Sequence, residues 1–390
     1  MANINVRKQL QTLEQELNNK YINRRDVIHG LLVTLLAKGN IVILGAAGTG
    51  KTDMVQTLAR SIKSQCFETI LTKTSSPEEL FGAYDIRELE QGNYVRNTAN
   101  TLVDSNVGFV DEVFKCNSAT LNGLLGVMAQ RTFRNGNSLP TPIPLLLFVG
   151  ASNELPEGGA DGALAALWDR FEMRYYVDYI NSVGAFHKLL RMNTVEEPAT
   201  QIKLTDLSKA QAEVLDVDTT TAERAIVLLW DTMNKAGYRM SDRKWRNSLR
   251  YMQANAYLAG RDELAEEDVS IVANMAWNET SQIKPLRSLV FKTVNPQLSK
   301  AQDIFDAVVE IYERLLSFGD NDKENQEKFG NTKSLELSMV HNKLTVSKKM
   351  INTIISEQKS QGKNTTSFTD YIEKINEMIQ VTTAMLCGEK

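Results

Sequence analysis

The segment GAAGTGKT at residues 45–52 constrains the fold of this chain more than any other stretch. It matches the pattern GxxxxGK[ST], in which glycines let backbone N–H groups turn inward around a phosphate. The apolar run NIVIL before it predicts a buried strand, and KTDMVQTLARSI after it predicts an amphipathic helix. Strand, loop and helix in this order predict an α/β fold with a mostly parallel sheet covered by helices.

The chemistry of this loop predicts ATP and Mg²⁺ as its ligands. Lys51 can supply a cation to the β- and γ-phosphates, and Thr52 can place its hydroxyl on Mg²⁺. The following helix adds the partial positive charge of its N-terminus. The alternative is a glycine-rich turn without a ligand. The predicted nucleotide-binding residues of this segment are Gly45, Ala46, Ala47, Gly48, Thr49, Gly50, Lys51, Thr52 and Asp53, and the later residues Asp111 and Arg243 complete the predicted set.

A second apolar run, NVGFV, ends in two acidic residues. Asp111 at the predicted strand end can reach Mg²⁺ through water, so Thr52 and Asp111 are the predicted metal-binding residues. Glu112 can polarise a water molecule for attack on the γ-phosphate. The alternative is an ordinary strand end whose two acids face solvent.

Three further polar residues could belong to a catalytic site, although their sequence patterns are less specific than those of the loop and the two acids. Asn153 follows the predicted core strand LLLFVGAS and could orient the attacking water, although Asn is also common in turns. Arg170 lies beside an apolar stripe in ALAALWDRFEMRYY, where a surface arginine is the alternative. Arg243 belongs to MSDRKWRNSLR, where the alternative is a solvated basic face of a helix.

The chain changes character after about Tyr179, where alternating strands and helices give way to helical patterns. Two hairpins are predicted before that point. The first lies at residues 84–96, with a turn near Gln91–Asn93, and the second is a short hairpin that begins at Arg131, with its turn near 134–142. The later segment AEEDVSIVANMAW is predicted to be helical. The predicted domains are an N-terminal helix at 1–20, a nucleotide-binding core at 21–180, a helical lid at 181–284 and a helical extension at 285–390.

Composition narrows the class of protein. Hydrophobic residues make up 42% and charged residues 24%, as in folded soluble proteins, and the net charge of −4 disfavours a protein that coats nucleic acid. The cysteines Cys66, Cys116 and Cys387 are far apart, which favours a reducing compartment and predicts a cytoplasmic protein. No apolar run is long enough for a signal core or a membrane span.

Five segments, in this order, resemble the MoxR family of AAA+ ATPases, and most closely its RavA branch. The resemblance covers roughly residues 5–285 and is specific, because the pairing of RTFRNG with ASNELPE is not general among phosphate-binding loops. The segments are SSPEELFG, VDEVFKCNSATLNGLLGVMAQRTFRNG, ASNELPE, ALWDRFEMR and SDRKWRNSLRYMQANAYLAGRD.

The resemblance implies an AAA+ core with an all-helical lid and a role for each candidate residue. It implies that Asn153 is sensor 1 and that Arg170 is an arginine finger reaching the next subunit's nucleotide. Arg243 is implied to be sensor 2, contacting the γ-phosphate from the lid. The segment at 84–96 resembles the insert in helix 2, and that at 134–142 resembles the insert before sensor 1.

The same resemblance implies a homo-oligomeric, six-membered ring that remodels or matures a protein client. A partner with a von Willebrand factor A domain is also implied. After the lid the sequence departs from the RavA branch. Its last hundred residues read as purely helical, without a strand-rich insertion, so the docking function of that insertion is not expected here.

Two other functions fit parts of the sequence. Related AAA+ rings with similar inserts move along nucleic acid, but the second predicted hairpin has only Arg131 and Arg134 and no aromatic–basic ladder. The other reading is a scaffold that assembles with nucleotide and turns over little. The sequence favours the remodelling ATPase over both.

Overall fold

The computed structural model describes residues 6–156, 164–180, 185–186, 189–190, 197–317, 326–360 and 365–386. The chain divides into two compact units. The first unit comprises the residues up to Tyr179 together with Thr194–Val290, and the second comprises Ile180–Asn193 and Phe291–Lys390. Cys387 lies outside the described residues.

A five-stranded parallel sheet forms the centre of the first unit. The strands of the described residues are β1 (Asn40–Leu44), β2 (Cys66–Ile70), β3 (Val107–Asp111), β4 (Thr132–Phe133), β5 (Thr141–Pro142), β6 (Leu147–Ser152) and β7 (Met173–Tyr176). The sheet has the order β2-β3-β6-β1-β7 with all pairings parallel, while β4 and β5 pair separately and antiparallel. Every residue of β1 is buried, as expected for a strand covered on both faces. The predicted α/β class is confirmed.

Helices cover the sheet because each has an apolar face. In the N-terminal helix that face consists of Leu10, Leu13 and Leu17, all buried. The described α-helices of this part are α1 (Val6–Lys20), α2 (Arg25–Leu36), α3 (Lys51–Ser61), α4 (Pro77–Phe81), α5 (Ile86–Glu90), α6 (Ser118–Gln130) and α7 (Ala165–Arg170). Short 3₁₀ helices lie at Leu102–Asp104 and Val113–Lys115.

The lid is helical, as predicted, and packs on the core through polar as well as apolar contacts. Gln211 donates to the carbonyl oxygen of Leu35 at 2.8 Å, and the Trp168 and Trp277 rings lie edge to face at 5.7 Å. Its α-helices are Leu204–Glu213, Glu223–Lys235, Asp242–Leu258 and Ile283–Val294. Its 3₁₀ helices are Val214–Asp216, Thr220–Ala222, Glu266–Asn274 and Thr280–Gln282.

The segment AEEDVSIVANMAW is helical, as predicted, in the form of a 3₁₀ helix, Glu266–Asn274; buried Asp268 accepts from the Ala265 N–H at 2.8 Å at its first turn. One local prediction was wrong. The predicted hairpin at 84–96 is mostly helix α5, closed by a single bridge between Tyr84 and Arg96. Asp85 starts this helix, because its side chain accepts from the N–H groups of the next turn. The turn at Gln91 and Gly92 and the hairpin of β4 and β5 were predicted correctly.

The second unit is a bundle of long helices, which agrees with the helical pattern of the sequence. Its described helices are Pro296–Ser317, Gln326–Ser360 and Thr366–Leu386. The Phe305 and Tyr371 rings pack at 5.1 Å, and His341 Nδ1 lies 3.0 Å from Thr382 Oγ1. Across the described parts of both units, no helix has the length and apolarity that a membrane span requires.

Candidate nucleotide site

The glycine-rich loop joins the carboxyl end of β1 to the start of α3. The Gly45 N–H donates to the Ser152 carbonyl at 3.0 Å, and a Cβ atom on Gly45 would lie 1.9 Å from the Val177 carbonyl oxygen. Gly48 and Gly50 have φ values of 76° and 84°. The loop path therefore needs glycine at all three positions, for close approach at the first and for backbone conformation at the others.

The loop presents a row of unpaired backbone donors. Within the part of the chain that the structure describes, the N–H groups of residues 46–52 donate to no acceptor. The carbonyl oxygens of Gly45 and Ala46, by contrast, accept from Lys51 Nζ at 2.5 and 3.0 Å. Free N–H groups in a turn that opens a helix attract anions, so these residues fit a polyphosphate.

Three predicted catalytic residues lie in contact beside the loop. Lys51 Nζ is 3.4 Å from Asn153 Oδ1, and Asn153 Nδ2 donates to Glu112 Oε1 at 3.0 Å. Lys51 is 6% exposed; burial lowers its pKa, and the carboxylates of Asp111 and Glu112 partly offset this effect. The chain Lys51–Asn153–Glu112 thus connects the phosphate loop to the predicted base.

These residues meet because β1, β6 and β3 are neighbours and end at the same edge of the sheet. Asp111 is the last residue of β3, and its Oδ1 accepts from the Glu112 N–H at 2.9 Å. Glu112 itself has φ of 50°, an uncommon conformation for a side-chain-bearing residue and one that recurs at functional sites. Thr52 is the second residue of α3, so both predicted metal-binding residues stand at this edge.

Asp53 lies in a different polar cluster from the rest of the predicted nucleotide-binding set. Its Oδ2 accepts from the Tyr21 hydroxyl at 2.6 Å and lies 3.7 Å from Lys20 Nζ. Both partners belong to the end of the N-terminal helix and the turn after it. The structure therefore connects Asp53 to α1 instead of to the loop.

Arg170 and Arg243 lie together at the opposite end of the sheet from the loop. The Arg170 carbonyl accepts from Asn40 Nδ2 at 2.9 Å, and Asn40 begins the strand whose other end carries the loop. That strand spans about 13 Å. Arg243 forms a salt bridge with Asp169, beside Arg170, and burial together with the Arg243 charge lowers the pKa of Arg170. Neither arginine contacts the loop of its own chain within the described residues.

Other cations in this part of the chain are bonded to the protein itself. Lys244 Nζ donates to the Phe171 carbonyl at 3.0 Å, and its complete burial holds its pKa well below the usual value. The Arg174 guanidinium donates to the carbonyl oxygens of Trp168, Phe171 and Trp277. These residues fix the lid to the core and are not free to bind a ligand.

Four residues that contact predicted site residues or the loop were not predicted from the sequence. Asp169 positions Arg243; Lys115 Nζ lies 3.3 Å from Glu112 Oε2; and Arg24 and Tyr179 contact loop carbonyls. Asp169 precedes Arg170 and Lys115 follows Glu112 by three residues, so their closeness in sequence to predicted residues could have identified them. Arg24 and Tyr179 come from distant segments, and no spacing rule would have found them.

Two family models together match the core and the lid. The model described as "MoxR domain in the MoxR-vWA-beta-propeller ternary systems" matches residues 8–217, more than half of the chain. The model described as "AAA lid domain" matches residues 212–290.

Individual relatives agree with these matches. Two uncharacterized proteins of Methanocaldococcus jannaschii are 33% and 30% identical over 73% and 95% of this chain, and over 76% and 98% of their own. Chaperone MoxR1 of Mycobacterium tuberculosis is 27% identical over 52% of this chain and 54% of its own. A crystal structure from Cytophaga hutchinsonii, described as a candidate ATPase, shares the fold with a TM-score of 0.58 and 20% identity, over 74% of this chain and 95% of that one.

Proposed function

Because the chain belongs to the MoxR family of AAA+ ATPases, we propose that it binds MgATP in the loop of residues 45–52 and hydrolyses it at a junction between two copies of the chain. The observation that carries this proposal is the row of unpaired N–H groups at residues 46–52, with Lys51 beside it. A polyphosphate offers charged acceptors to several of these donors at once, at the positive end of a helix.

The residues beside the loop have distinct roles in this proposal. Lys51 binds the β- and γ-phosphates, Glu112 accepts the proton of the attacking water, and Asn153 keeps Glu112 and that water oriented. Thr52 and Asp111 would hold Mg²⁺, which would neutralise part of the charge of the phosphates. The contacts of Lys51 and Asn153 hold these groups and Glu112 next to one another.

Arg170 and Arg243 complete the site from a second copy in this proposal. About 13 Å of strand separates their end of the sheet from the loop, so neither is placed to serve its own chain. A head-to-tail arrangement would bring both arginines to the neighbour's γ-phosphate, and such arrangements close into rings. This modifies the sensor 2 role implied for Arg243, which would then act on the next subunit. We retain a six-membered ring as the proposed assembly.

The proposed work of this ATPase is chaperone-like remodelling or maturation of a protein complex. The printed name of chaperone MoxR1 and the ternary systems named by the matched family support that role and a partner with a von Willebrand factor A domain. Exposed apolar side chains on the two inserts, among them Ile86, Tyr94 and Leu139, favour a protein client. The RavA branch, the four domain boundaries and a cytoplasmic location are kept as proposals based on sequence.

One observation weakens the nucleic-acid alternative. Of the two arginines on the second hairpin, Arg131 donates to the Gly39 carbonyl at 2.7 Å, and its burial lowers its pKa to about 10. Only Arg134 is left exposed on that hairpin. A single free arginine does not make the basic track that a translocating motor needs.

The proposal is tested by titrating the protein with MgATP in a calorimeter and by measuring ATPase rate against protein concentration. We expect micromolar binding that the Lys51→Ala variant loses, and a rate per chain that rises with concentration as copies assemble. Absence of binding heat, or a full rate from a chain shown to be monomeric, would contradict the proposal. Assembly and binding with no turnover would support the scaffold alternative instead.

A further inference from the structure

Side chains donate hydrogen bonds to most carbonyl oxygens of the glycine-rich loop. Lys51 and Thr49 contact the first two, at Gly45 and Ala46. The Tyr179 hydroxyl donates to the Ala47 carbonyl at 3.1 Å, and Arg24 Nε donates to the Thr49 carbonyl at 3.3 Å. Tyr179 and Arg24 play no part in the chemistry described above, and neither belongs to the loop or to α3.

Holding a carbonyl oxygen fixes the direction of the next N–H group. A trans peptide is planar, and its C=O and N–H point to opposite sides. The Tyr179 contact therefore orients the N–H of Gly48, and the Arg24 contact orients the N–H of Gly50. Both N–H groups belong to the unpaired row that would receive the phosphates.

Neither glycine is crowded at the position of a side chain. A Cβ atom on Gly48 or Gly50 would meet nothing within 4 Å, and glycine has wide backbone freedom. The carbonyl of Gly50 accepts from the Met54 N–H at 3.1 Å, which restrains the peptide after Gly50. The contacts of Tyr179 and Arg24 restrain the peptides before Gly48 and Gly50.

Arg24 and Tyr179 form a connected frame. A second Arg24 nitrogen donates to the Asp178 carbonyl at 2.9 Å, and the Tyr179 N–H donates to Asp178 Oδ1 at 2.8 Å. Partial burial lowers the pKa of Arg24, with Asp178 offsetting part of that effect. The guanidinium therefore joins the start of α2, the loop and the segment that follows β7.

We propose that Arg24 and Tyr179 are positioning residues that preorganise the phosphate-binding loop by fixing the peptides before Gly50 and Gly48. This inference rests on the proposed binding of MgATP. In this inference both residues affect the binding of the phosphates, and neither affects the catalytic base, Glu112. Loss of either contact leaves the loop to be ordered by the ligand, so affinity falls while the turnover of bound ATP is unchanged.

The experiment compares Arg24→Met and Tyr179→Phe with the control Arg224→Met, which changes an exposed lid arginine. Binding of MgATP and of magnesium tripolyphosphate is measured by calorimetry, and steady-state rates give KM and kcat. We expect Arg24→Met to weaken both ligands about tenfold and Tyr179→Phe about threefold, with KM raised and kcat within about twofold. Arg24→Lys keeps the charge but has one nitrogen in place of the two that contact the Thr49 and Asp178 carbonyls, so it should recover only part of the lost affinity.

Backbone ¹⁵N relaxation of the ligand-free protein gives a second readout. The order parameters of Gly48 and Gly50 should fall in Arg24→Met relative to wild type, while the control matches wild type. Unchanged order parameters, full rescue by Arg24→Lys, or weakened ATP with unchanged tripolyphosphate binding would overturn the inference. Failure of the wild-type protein to bind either ligand would instead refute the proposed function, and the order parameters would still test whether Arg24 orders the loop.

Discussion

The two ends of the central sheet differ in how their polar groups are satisfied. At the carboxyl end, N–H donors of residues 46–52 lack acceptors and Glu112 adopts an uncommon backbone conformation. At the amino end, the cations of Lys244 and Arg174 are buried and donate to carbonyl oxygens of the same chain. Arg243 is anchored by Asp169, next to Arg170. The carboxyl end fits an anion, and in our proposal the amino end presents arginines to a second copy of the chain.

This difference suggests that one chain carries two halves of a catalytic site without completing either. The phosphate loop and the arginines are held by one folded unit, yet about 13 Å of strand lies between them. The lid is fixed to the core by buried polar contacts, so a change of lid angle is not needed to present Arg243. Assembly of copies would be the step that completes the site.

The largest expected effect comes from removing Arg170, at the amino end of the central sheet. Arg170→Ala should lower kcat by about 10³-fold, the lower range for an arginine finger, while ATP affinity changes little. Steady-state kinetics and calorimetry on the same samples check this, with Arg134→Ala as the exposed-arginine control. A strong loss of ATP affinity would show that Arg170 serves its own chain's loop, which would break the distinction between the two ends.

A smaller effect should follow when the anchor of Arg243 is weakened. Asp169→Asn keeps the shape of the side chain but removes its charge, so Arg243 loses its ion pair beside Arg170. We expect kcat to fall about tenfold with KM for ATP unchanged, because the loop lies at the other end. The exposed Asp303→Asn provides the matched control. A raised KM with unchanged kcat would place Asp169 among the loop's supports instead.

The smallest expected effect concerns the contact between the lid and the N-terminal helices. His29 lies between Glu14 Oε1 at 2.7 Å and Asn255 Oδ1 at 2.6 Å. Burial lowers its pKa, but the Glu14 carboxylate outweighs burial and the pKa is raised to about 9. A raised pKa means that the stabilisation is complete below pH 6.5 and is lost as the pH rises through about 9.

The half-buried position of His29 limits that stabilisation to about 1 kcal/mol after solvent screening. Thermal unfolding of wild type and His29→Gln between pH 6 and 10 measures it. The two Tm values should differ most at low pH and converge at high pH. A constant difference across this range would mean that His29 contributes by packing alone.

The sequence predicted groups whose chemistry is set by local order, and missed groups defined by the tertiary fold. The strand–loop–helix around Lys51 and the acids that end β3 follow from hydrophobic runs and glycine spacing, so their positions were predictable. The positions of Arg170 and Arg243 relative to each other depend on how the lid docks, which no periodicity encodes. Helix α5 was missed because a single capping residue, Asp85, decided its conformation.

The most direct test of the central claim mixes two inactive variants. Lys51→Ala lacks the loop cation and Arg170→Ala lacks the presented arginine; in equal mixture, random assortment leaves about one quarter of the junctions intact. The account predicts that ATPase activity reappears on mixing. A mixture of Lys51→Ala with Glu112→Gln should stay inactive, since both defects lie on the same half of the site. No recovery from the first mixture, with mixed assemblies verified, would contradict catalysis between two copies.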